Sequence, residues 1–390
     1  MELTGERRAL RDAVRDVLRR NPPELAAPET GPGYDPALWR LLCEVGVAGL
    51  AVPERFGGAG AGPVEVAIVA EELGRLLAPT PLIGSAVLAT QAIIAADDTE
   101  ACERLLPEMV SGTLIAALAW TGQDGGWDPA AAAFHAAARS GGGWTLTGAA
   151  HYVLDGDSAP VLIAAATMPP GRVGLFEVGP GQPGVSRQAA AAMDQTRRLA
   201  VVRLASAADR PLGPETQART GADSEVSSAN GADGALARAR DLACVALSAE
   251  QAGAAARALE LTVGYTGTRI QFGRPIASFQ AIQHRLAEMH VLVESARALA
   301  YRAAEVADAA VRRGEPDAVA DLPLLAAAAK AYCSEALGKV AGEMIQLHGA
   351  IGITWEHDAH RYFKRAHGSA QLFGSPSAHL ARIAAAVIDR

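Results

Sequence analysis

The chain has 390 residues, half of them apolar, and a formal net charge of −8. This length predicts two or three domains, and the apolar fraction suffices for a sizeable core. The negative charge argues against nucleic acid or an anionic membrane surface as the main partner. The four cysteines are scattered without a CxxC pair, which is typical of reduced thiols in a cytoplasmic protein.

The N-terminal segment MELTGERRALRD is too charged for a secretory signal peptide. No apolar run reaches the roughly 18 residues that a membrane-spanning helix needs. We therefore expect a cytoplasmic protein that neither crosses a membrane nor binds one.

Residues 1–115 are predicted to form a helical domain. Between Ala9 and Leu18, apolar residues recur at helical spacing, opposite a face rich in Arg and Asp. Segment 46–62 is a Gly-rich loop. It lacks the GxxxxGK[ST] pattern, and no predicted strand precedes it, so we do not assign it to a phosphate group.

Residues 116–215 change character and are predicted to form a small β domain, barrel-like or sandwich-like. Gly, Pro and Asp separate short runs rich in β-branched and aromatic residues. These runs are Trp144–Thr147, His151–Leu154, Val161–Ile163, Val173–Phe176 and Ala200–Leu204. The polar segment 216–234, rich in Gly, Ser and Asp, is predicted to be a linker.

Residues 235–390 are predicted to be helical again. Four long, Ala-rich segments are separated by short turns, which favours an antiparallel four-helix bundle. The segments are Ala235–Tyr265, Phe279–Arg313, Leu322–Leu347 and Ser375–Ile388. The predicted fold class is α+β and mainly α, with a helical domain, a β domain and a helical bundle in that order.

The turn between the first two helices of the bundle carries the most specific motif, TRIQFGRPIASFQAIQHRLAEM, over residues 268–289. Gly273 and Pro275 break the helix, and the chain returns as a second helix from Phe279. The turn offers a cation, two amide side chains and an aromatic ring. This set suits an anionic, aromatic ligand such as a nucleotide cofactor.

This run resembles the signature of the acyl-CoA dehydrogenase family, and the helical–β–helical order resembles that family along nearly the whole chain. The resemblance implies FAD as cofactor. It also implies that Arg269 and Gln280 contact the FAD of a neighbouring subunit, with Gln271 and Phe272 in the same site. An isolated Arg and Gln would more simply be surface residues, but some twelve matched positions favour the cofactor role.

The segment QLHGAIG, residues 346–352, resembles the family's QxxGGxG loop. In the family this loop reaches the adenosine side of the partner's FAD, which implies that role for Gln346, Gly349 and Gly352. Glycine allows backbone amides to come close to a ligand. Ala350 replaces the second glycine of the pair, which hinders that approach slightly.

The β domain matches the family less well. Residues 121–128, TGQDGGWD, align with T-E-P-x-x-G-S-D, whose Thr and Ser contact the flavin; Thr121 is kept and the Ser is not. In the next run Tyr152 takes the place of the aromatic residue beside the flavin ring. Leu154 replaces a Thr and cannot supply its hydroxyl. The family's residues are therefore better retained in the half of the site that contacts the nucleotide of FAD than in the half that contacts the flavin ring.

Neither of the two positions at which the family keeps its catalytic base carries a carboxylate here. Oxidation of an acyl thioester requires a carboxylate to take the α-proton. The family's spacing places this Glu at Phe373 or, in a minority, at Ala243; Ser375 follows as a further cofactor contact. Glu250 is the nearest carboxylate on the same helix face and is a weak candidate base.

Glu250 also has a structural interpretation, as a buried carboxylate satisfied by an Arg such as Arg257 or Arg285. Metal binding is not predicted. Several histidines follow the run TWEHD at 354–358, but no HExxH motif or supported His pair accompanies them.

Three hypotheses remain open. The chain is an FAD-dependent oxidoreductase acting on an acyl thioester or related substrate, with an unassigned base or a partner's base. Alternatively, it is a non-catalytic subunit that completes the FAD site of a heteromeric enzyme, or a flavin enzyme of this fold with other chemistry, such as hydroxylation. Expected partners are a homodimer, homotetramer or heteromer, and an electron-accepting flavoprotein. The sequence does not decide the acyl group or its carrier.

Overall fold

A computed structural model describes residues 3–23, 33–140, 142–217 and 231–388. Helices come first, a β-sheet follows, and a second set of helices ends the chain. The predicted fold class is confirmed. None of the described helices is long and apolar enough to cross a membrane.

The N-terminal part is helical. It contains α1 (Gly5–Arg20), α2 (Pro36–Glu44), α3 (Pro63–Arg75), α4 (Thr90–Ala95) and α5 (Thr99–Val110). Thr4 and Asp35 begin α1 and α2 by accepting hydrogen bonds from first-turn amides. Val14 and Leu18 of α1 are buried, so the predicted apolar stripe faces the core. Before α4, Leu82–Ala89 winds as a buried π-helix.

The middle part is one eight-stranded sheet, in the order β6-β7-β3-β2-β4-β5-β8, with β1 parallel to β4. The strands are β1 (Ala116–Ala119), β2 (Phe134–Ala138), β3 (Trp144–Leu154), β4 (Val161–Met168), β5 (Arg172–Val178), β6 (Val185–Ala189), β7 (Leu199–Ala208) and β8 (Arg210–Leu212). Most neighbouring pairs are antiparallel.

Two of the predicted strands are in fact one. The runs 144–147 and 151–154 both belong to β3, which passes through Gly148 without turning and shifts its register between Ala150 and Val153. Four strands of this sheet were not predicted, namely β1, β2, β6 and β8. β1 has the sequence AALA, and alanine has little preference for strands.

The C-terminal part has one helix more than predicted. After the short α6 (Pro214–Gln217) come α7 (Ala232–Thr268), α8 (Gln280–Asp308), α9 (Pro316–His348), α10 (Ala359–Gln371) and α11 (Pro376–Ile388). The long helices α7, α8 and α9 pack on one another as the bundle prediction requires. α10 was not predicted. Residues 218–230 of the predicted linker lie outside the described residues.

α7 is the central helix, because it packs against α3 as well as α8 and α9. Two glycines bring α3 and α7 close together. A Cβ on Gly74 would lie 2.0 Å from the Glu250 carbonyl oxygen, and a Cβ on Gly253 would lie 2.0 Å from that of Glu71. Side chains larger than hydrogen would push the helices apart, so these contacts fix the position of Glu250.

Candidate functional site

The turn between α7 and α8 projects from the bundle. Ile270–Gln271 and Arg274–Pro275 pair as a small hairpin, with Phe272 and Gly273 at positive φ at its tip. The Phe272 side chain is 91% exposed, and Arg269, Gln271 and Gln280 are also exposed. Among the described residues, Arg269 has no ion-pair partner. The turn therefore presents an unpaired cation and an uncovered aromatic ring.

The second nucleotide motif lies beside this turn. The Tyr265 ring, near the end of α7, stacks on His348 at the end of α9, with ring centroids 4.4 Å apart. The Tyr265 hydroxyl also donates to the His348 carbonyl at 3.3 Å. Gln346 and Gly349 are exposed and Gly352 is buried. The structure thus brings the two motifs together on one surface.

A separate cavity of about 630 Å³ opens between the sheet and the C-terminal helices. Residues from the 121–128 run, from β3, from α7 and from the end of α10 through α11 line it. They include Asp124, Trp127, Asp128, Tyr152, Arg240, Phe373, Ser375, His379 and Arg382. The predicted contacts Tyr152 and Ser375 are in this wall, whereas Thr121 is not.

The wall of this cavity is aromatic at positions where the family resemblance predicts polar groups. The ring of Trp127, which aligns with the family's Ser, meets Phe373 edge to face, with ring centroids 5.2 Å apart. On its other side Trp127 meets Trp120, also at 5.2 Å, and Tyr152 at 6.5 Å. Phe373 is 1% exposed. The position at which the family resemblance predicts the base is thus part of a packed aromatic cluster.

A buried lysine holds the segment that carries Phe373. Lys330 is fully buried and donates to the carbonyls of Ala370 and Gly374, at 2.9 and 3.1 Å, and to Ser334 Oγ. Phe373 has a φ of 60° and Gly374 one of 115°, so this segment is a sharp bend. Burial lowers the pKa of Lys330 to about 8. These bonds fix the Phe373 ring in the wall.

Glu250 lies in a closed ion-pair cluster. Arg197 Nη2 approaches both of its carboxylate oxygens at 2.6 Å, and Arg365 Nη1 approaches one at 2.7 Å. Burial raises the pKa of this carboxyl, but the two guanidinium groups outweigh it, and the net pKa is lowered. Arg365 also pairs with Asp194 at 2.9 Å. A carboxylate held in this way is a poor proton acceptor.

The predicted ion-pair partners of Glu250 are wrong. Arg257 pairs with Glu260, and Arg285 pairs with Glu343, both near the surface. The observed partners come from the approach to β7 and from α10, far away in the sequence. Arg365 was missed because α10 was missed. The buried residues of α10 recur at helical spacing, and this spacing was the signal from which the helix could have been predicted.

The redox half of the site fits a flavin only in part. The Thr121 hydroxyl is buried without a hydrogen-bond partner among the described atoms, and such a group fits a cofactor contact. Leu154, however, is buried and offers no hydroxyl. The nucleotide half fits an anionic cofactor better, since its cation and amide side chains are exposed.

Histidines are frequent near the second motif. His348 and His357 lie 4.4 Å apart between ring centroids, and His360 meets Trp355 at 4.7 Å. Within the part of the chain that the structure describes, no three His, Cys, Asp or Glu side chains form a group that could hold a metal ion. These rings pack on one another rather than around a common centre.

Two family models match the chain. The acyl-CoA dehydrogenase N-terminal domain matches residues 4–113, and the acyl-CoA dehydrogenase C-terminal domain matches residues 235–388. Among curated relatives, the acyl-CoA dehydrogenase IpdE2 of Mycobacterium tuberculosis is 41% identical over 95% of this chain and 96% of its own length. The IpdE2 of Mycolicibacterium smegmatis is 38% identical over 99% of this chain and 100% of its own length.

Solved structures agree with the relatives. The structure of a variant of the Tcur3481-Tcur3483 steroid ACAD is 30% identical, with a TM-score of 0.81 and 98% coverage of both chains. A structure of the ChsE4-ChsE5 complex from Mycobacterium tuberculosis is 27% identical, with a TM-score of 0.83, covering 100% of this chain and 99% of that one. Each of these two names gives a pair of chains.

Proposed function

Because the chain belongs to the acyl-CoA dehydrogenase family, whose members are FAD flavoprotein oxidoreductases, we propose that it works as one subunit of a heteromeric acyl-CoA dehydrogenase. In this role it completes the FAD site of a related partner chain. The partner then supplies the carboxylate that takes the α-proton of an acyl-CoA thioester.

The contact between Trp127 and Phe373 carries this proposal. Abstraction of the α-proton needs a carboxylate facing the substrate. Here the corresponding position is a buried phenyl ring packed on an indole. Asp124 and Asp128 also line the cavity, but each accepts a backbone N–H of its own turn and is exposed. Neither is enclosed by apolar groups, as many catalytic carboxylates are.

The exposure of the nucleotide motifs supports the same role. Arg269, Gln280 and Gln346 lie on the surface of a single chain, which is where contacts to another subunit's cofactor must lie. A guanidinium beside a pyrophosphate makes charge-assisted hydrogen bonds. When bound, the FAD accepts the hydride; this chain's part is to hold its nucleotide end.

Large uncovered apolar side chains surround these motifs. Phe272, Ile353 and Trp355 are 91%, 70% and 65% exposed. Several large exposed apolar side chains on one surface are typical of a protein–protein interface. We infer that the partner subunit covers them. On this proposal, substrate is not oxidised at the predicted flavin-ring contacts of this chain, which are Thr121, Tyr152 and Ser375.

Copurification tests this proposal. The chain should be expressed with and without a homologue that carries a Glu at the position of Phe373. We expect acyl-CoA oxidation only from the pair, and its loss when the partner's Glu is replaced by Gln. Oxidation that survives that replacement would place the base in this chain. An electron-accepting flavoprotein is the expected further partner of the pair.

A further inference from the structure

A stack of three aromatic rings lies beneath the QLHGAIG motif. Tyr265 of α7, His348 of α9 and His357 follow one another, with 4.4 Å between the ring centroids of each neighbouring pair. The His348 imidazole is enclosed by the other two rings, and the residue is 3% exposed. A Cβ on Gly352 would lie 3.1 Å from the His348 Cβ. The segment 349–358 therefore packs directly on this stack.

The hydrogen bonds of His348 require a neutral ring. Its Nδ1 lies 2.7 Å from the Met344 carbonyl oxygen, so Nδ1 carries the proton. Its Nε2 is buried and has no hydrogen-bond partner among the described atoms. A second proton would place an unpaired N–H and a positive charge in this buried position. Burial therefore lowers the pKa of His348.

His357 also has to be neutral, because it holds the start of α10. The backbone N–H of Ala359, the first residue of α10, donates to His357 Nδ1 at 3.1 Å. Only an unprotonated Nδ1 can accept this bond. A proton there would set two N–H groups against each other. It would also place a positive charge at the N-terminus of a 13-residue helix, where the helix dipole disfavours it.

His360 is the third histidine of this group. It is 8% exposed, and its Nε2 is buried without a partner among the described atoms. Its ring meets the exposed indole of Trp355 edge to face, with centroids 4.7 Å apart. Burial, and after it the nearby charges of Lys364 and Arg361, lower the pKa of His360. The neutral ring thus supports Trp355 from below.

The surroundings of the three histidines offer little to stabilise a proton. Among the described residues, the titratable groups that face them are Tyr265 from α7, and Asp358, Arg361 and Lys364 at the start of α10. Asp358 is the one carboxylate in this set, and it already pairs with Arg361 at 3.4 Å. The observed packing is therefore stable only while the histidines are neutral.

We propose that these rings make the partner-binding surface acid-sensitive: when His348, His357 and His360 take up protons, the segment 349–358 opens, and the partner subunit and its FAD are released. The opening follows from this chain alone. The release rests on the proposed function, because the segment carries the exposed Trp355 that the partner subunit is proposed to cover.

Acid should favour the open form of the segment. A free imidazole binds a proton with a pKa of about 6.5. Below this pH the open form binds protons that the closed form excludes, whereas above it neither form binds them. Between pH 7.5 and 5.5, each ring that is protonated only in the open form raises the opening constant about tenfold, so three rings raise it up to about 1000-fold.

Hydrogen–deuterium exchange of the full-length chain, alone and with its copurified partner, measures the opening. Exchange is followed at pH 7.5 and 5.5 and corrected for the pH dependence of the intrinsic exchange rate. We expect peptides that span 349–359 to lose protection by about 100- to 1000-fold at pH 5.5, while the core of α7 stays protected. Equal protection of these peptides at the two pH values would overturn the inference.

Variants assign the effect to the histidines. The double variant His348→Phe, His357→Asn keeps a ring in the stack and an oxygen that can accept the Ala359 N–H, but it removes two titrating groups. We expect its acid opening to fall to about tenfold, from the remaining ring. His135→Asn is the matched control, since His135 is exposed on β2. If the double variant does not fold, each single variant should lower the acid effect about tenfold; an unchanged effect would refute the assignment.

Flavin absorbance of the pair after gel filtration separates this inference from the proposed function. FAD that is bound at pH 7.5, lost at pH 5.5 and retained at pH 5.5 by the double variant would support both. Acid opening of the isolated chain, with no FAD or partner bound at pH 7.5, would refute the proposed function and leave the opening standing. FAD retained by the wild-type pair at pH 5.5 would overturn the release alone.

Discussion

The Trp127 indole and the Phe373 ring meet edge to face, with centroids 5.2 Å apart, at the position where the family resemblance predicts a catalytic Glu. Aromatic pairs of this geometry add about 0.5–1.5 kcal/mol beyond the area they bury. The pair therefore stabilises the fold at the point where the resemblance predicts a carboxylate. On the proposed function, the carboxylate of the enzyme comes from another chain.

Replacing Phe373 by Glu should not create an active redox site in this chain. The new carboxyl would sit in an apolar wall, and burial would raise its pKa. Leu154 would still fail to supply a hydroxyl to the flavin. Anaerobic flavin bleaching by an acyl-CoA, followed from about pH 6 to 9, measures the outcome. Phe373→Leu is the control for packing; bleaching in the Glu variant that grows with pH would contradict this prediction.

Arg269→Ala should lower the FAD affinity of the complex with the partner. A charge-assisted contact to phosphate contributes on the order of 1.5–3 kcal/mol, so FAD should bind about 10- to 100-fold more weakly. Flavin absorbance after gel filtration reports the occupancy. The control variant Arg302→Ala, on α8 and away from the turn that carries Arg269, should keep its FAD. Equal losses in both variants would argue against a specific role for Arg269.

Glu250→Gln should destabilise the chain strongly. It leaves Arg197 and Arg365 without their shared carboxylate in a buried place, and breaking such a pair costs about 3–5 kcal/mol. Glu343→Gln removes a partly exposed partner of Arg285 and should cost about 1 kcal/mol or less. Urea unfolding compares the two variants. A stable Glu250→Gln complex without activity would instead favour a catalytic Glu250.

Lys330 should make stability rise with pH. Its pKa is 10.5 in the unfolded reference and about 8 in the folded chain because of burial. Between these values the unfolded chain binds a proton that the folded chain has lost, so the free energy of unfolding increases with pH, by on the order of 3 kcal/mol. Below about pH 8 both states are protonated and the effect is absent.

Lys330→Met should remove this increase. Urea unfolding of the wild type and the variant at intervals from about pH 7.5 to 10.5 measures the difference between the two slopes. Both proteins share every other group that titrates in this range, so the difference between their slopes reports the titration of Lys330 alone. Parallel curves for the two proteins would mean that Lys330 keeps its proton in the folded chain.

The sequence predicted the helical–β–helical order because its apolar residues recur at clear periods, as in α1 and the long bundle helices. It missed α10, whose buried face is built from small or polar residues, including Ser369 and Arg365. It also divided β3 at Gly148, since a glycine inside a strand resembles a turn.

The candidate site also has residues that the sequence predicted and residues that it did not. Arg269, Gln280 and Gln346 could be chosen from local motifs. The partners of Glu250 could not, because Arg197 and Arg365 are 53 and 115 residues away in the sequence and only the folded chain brings them together. The sequence likewise showed Trp127 and Phe373 only as departures from the family pattern. It did not show that their rings are in contact.

The visible absorption spectrum of the chain, purified alone and purified with a Glu-bearing homologue, tests the central claim most directly. We expect no stoichiometric flavin on the chain alone, and bound FAD that an acyl-CoA bleaches on the pair. A chain that purifies alone with a full complement of FAD, and whose flavin an acyl-CoA bleaches, would contradict the claim.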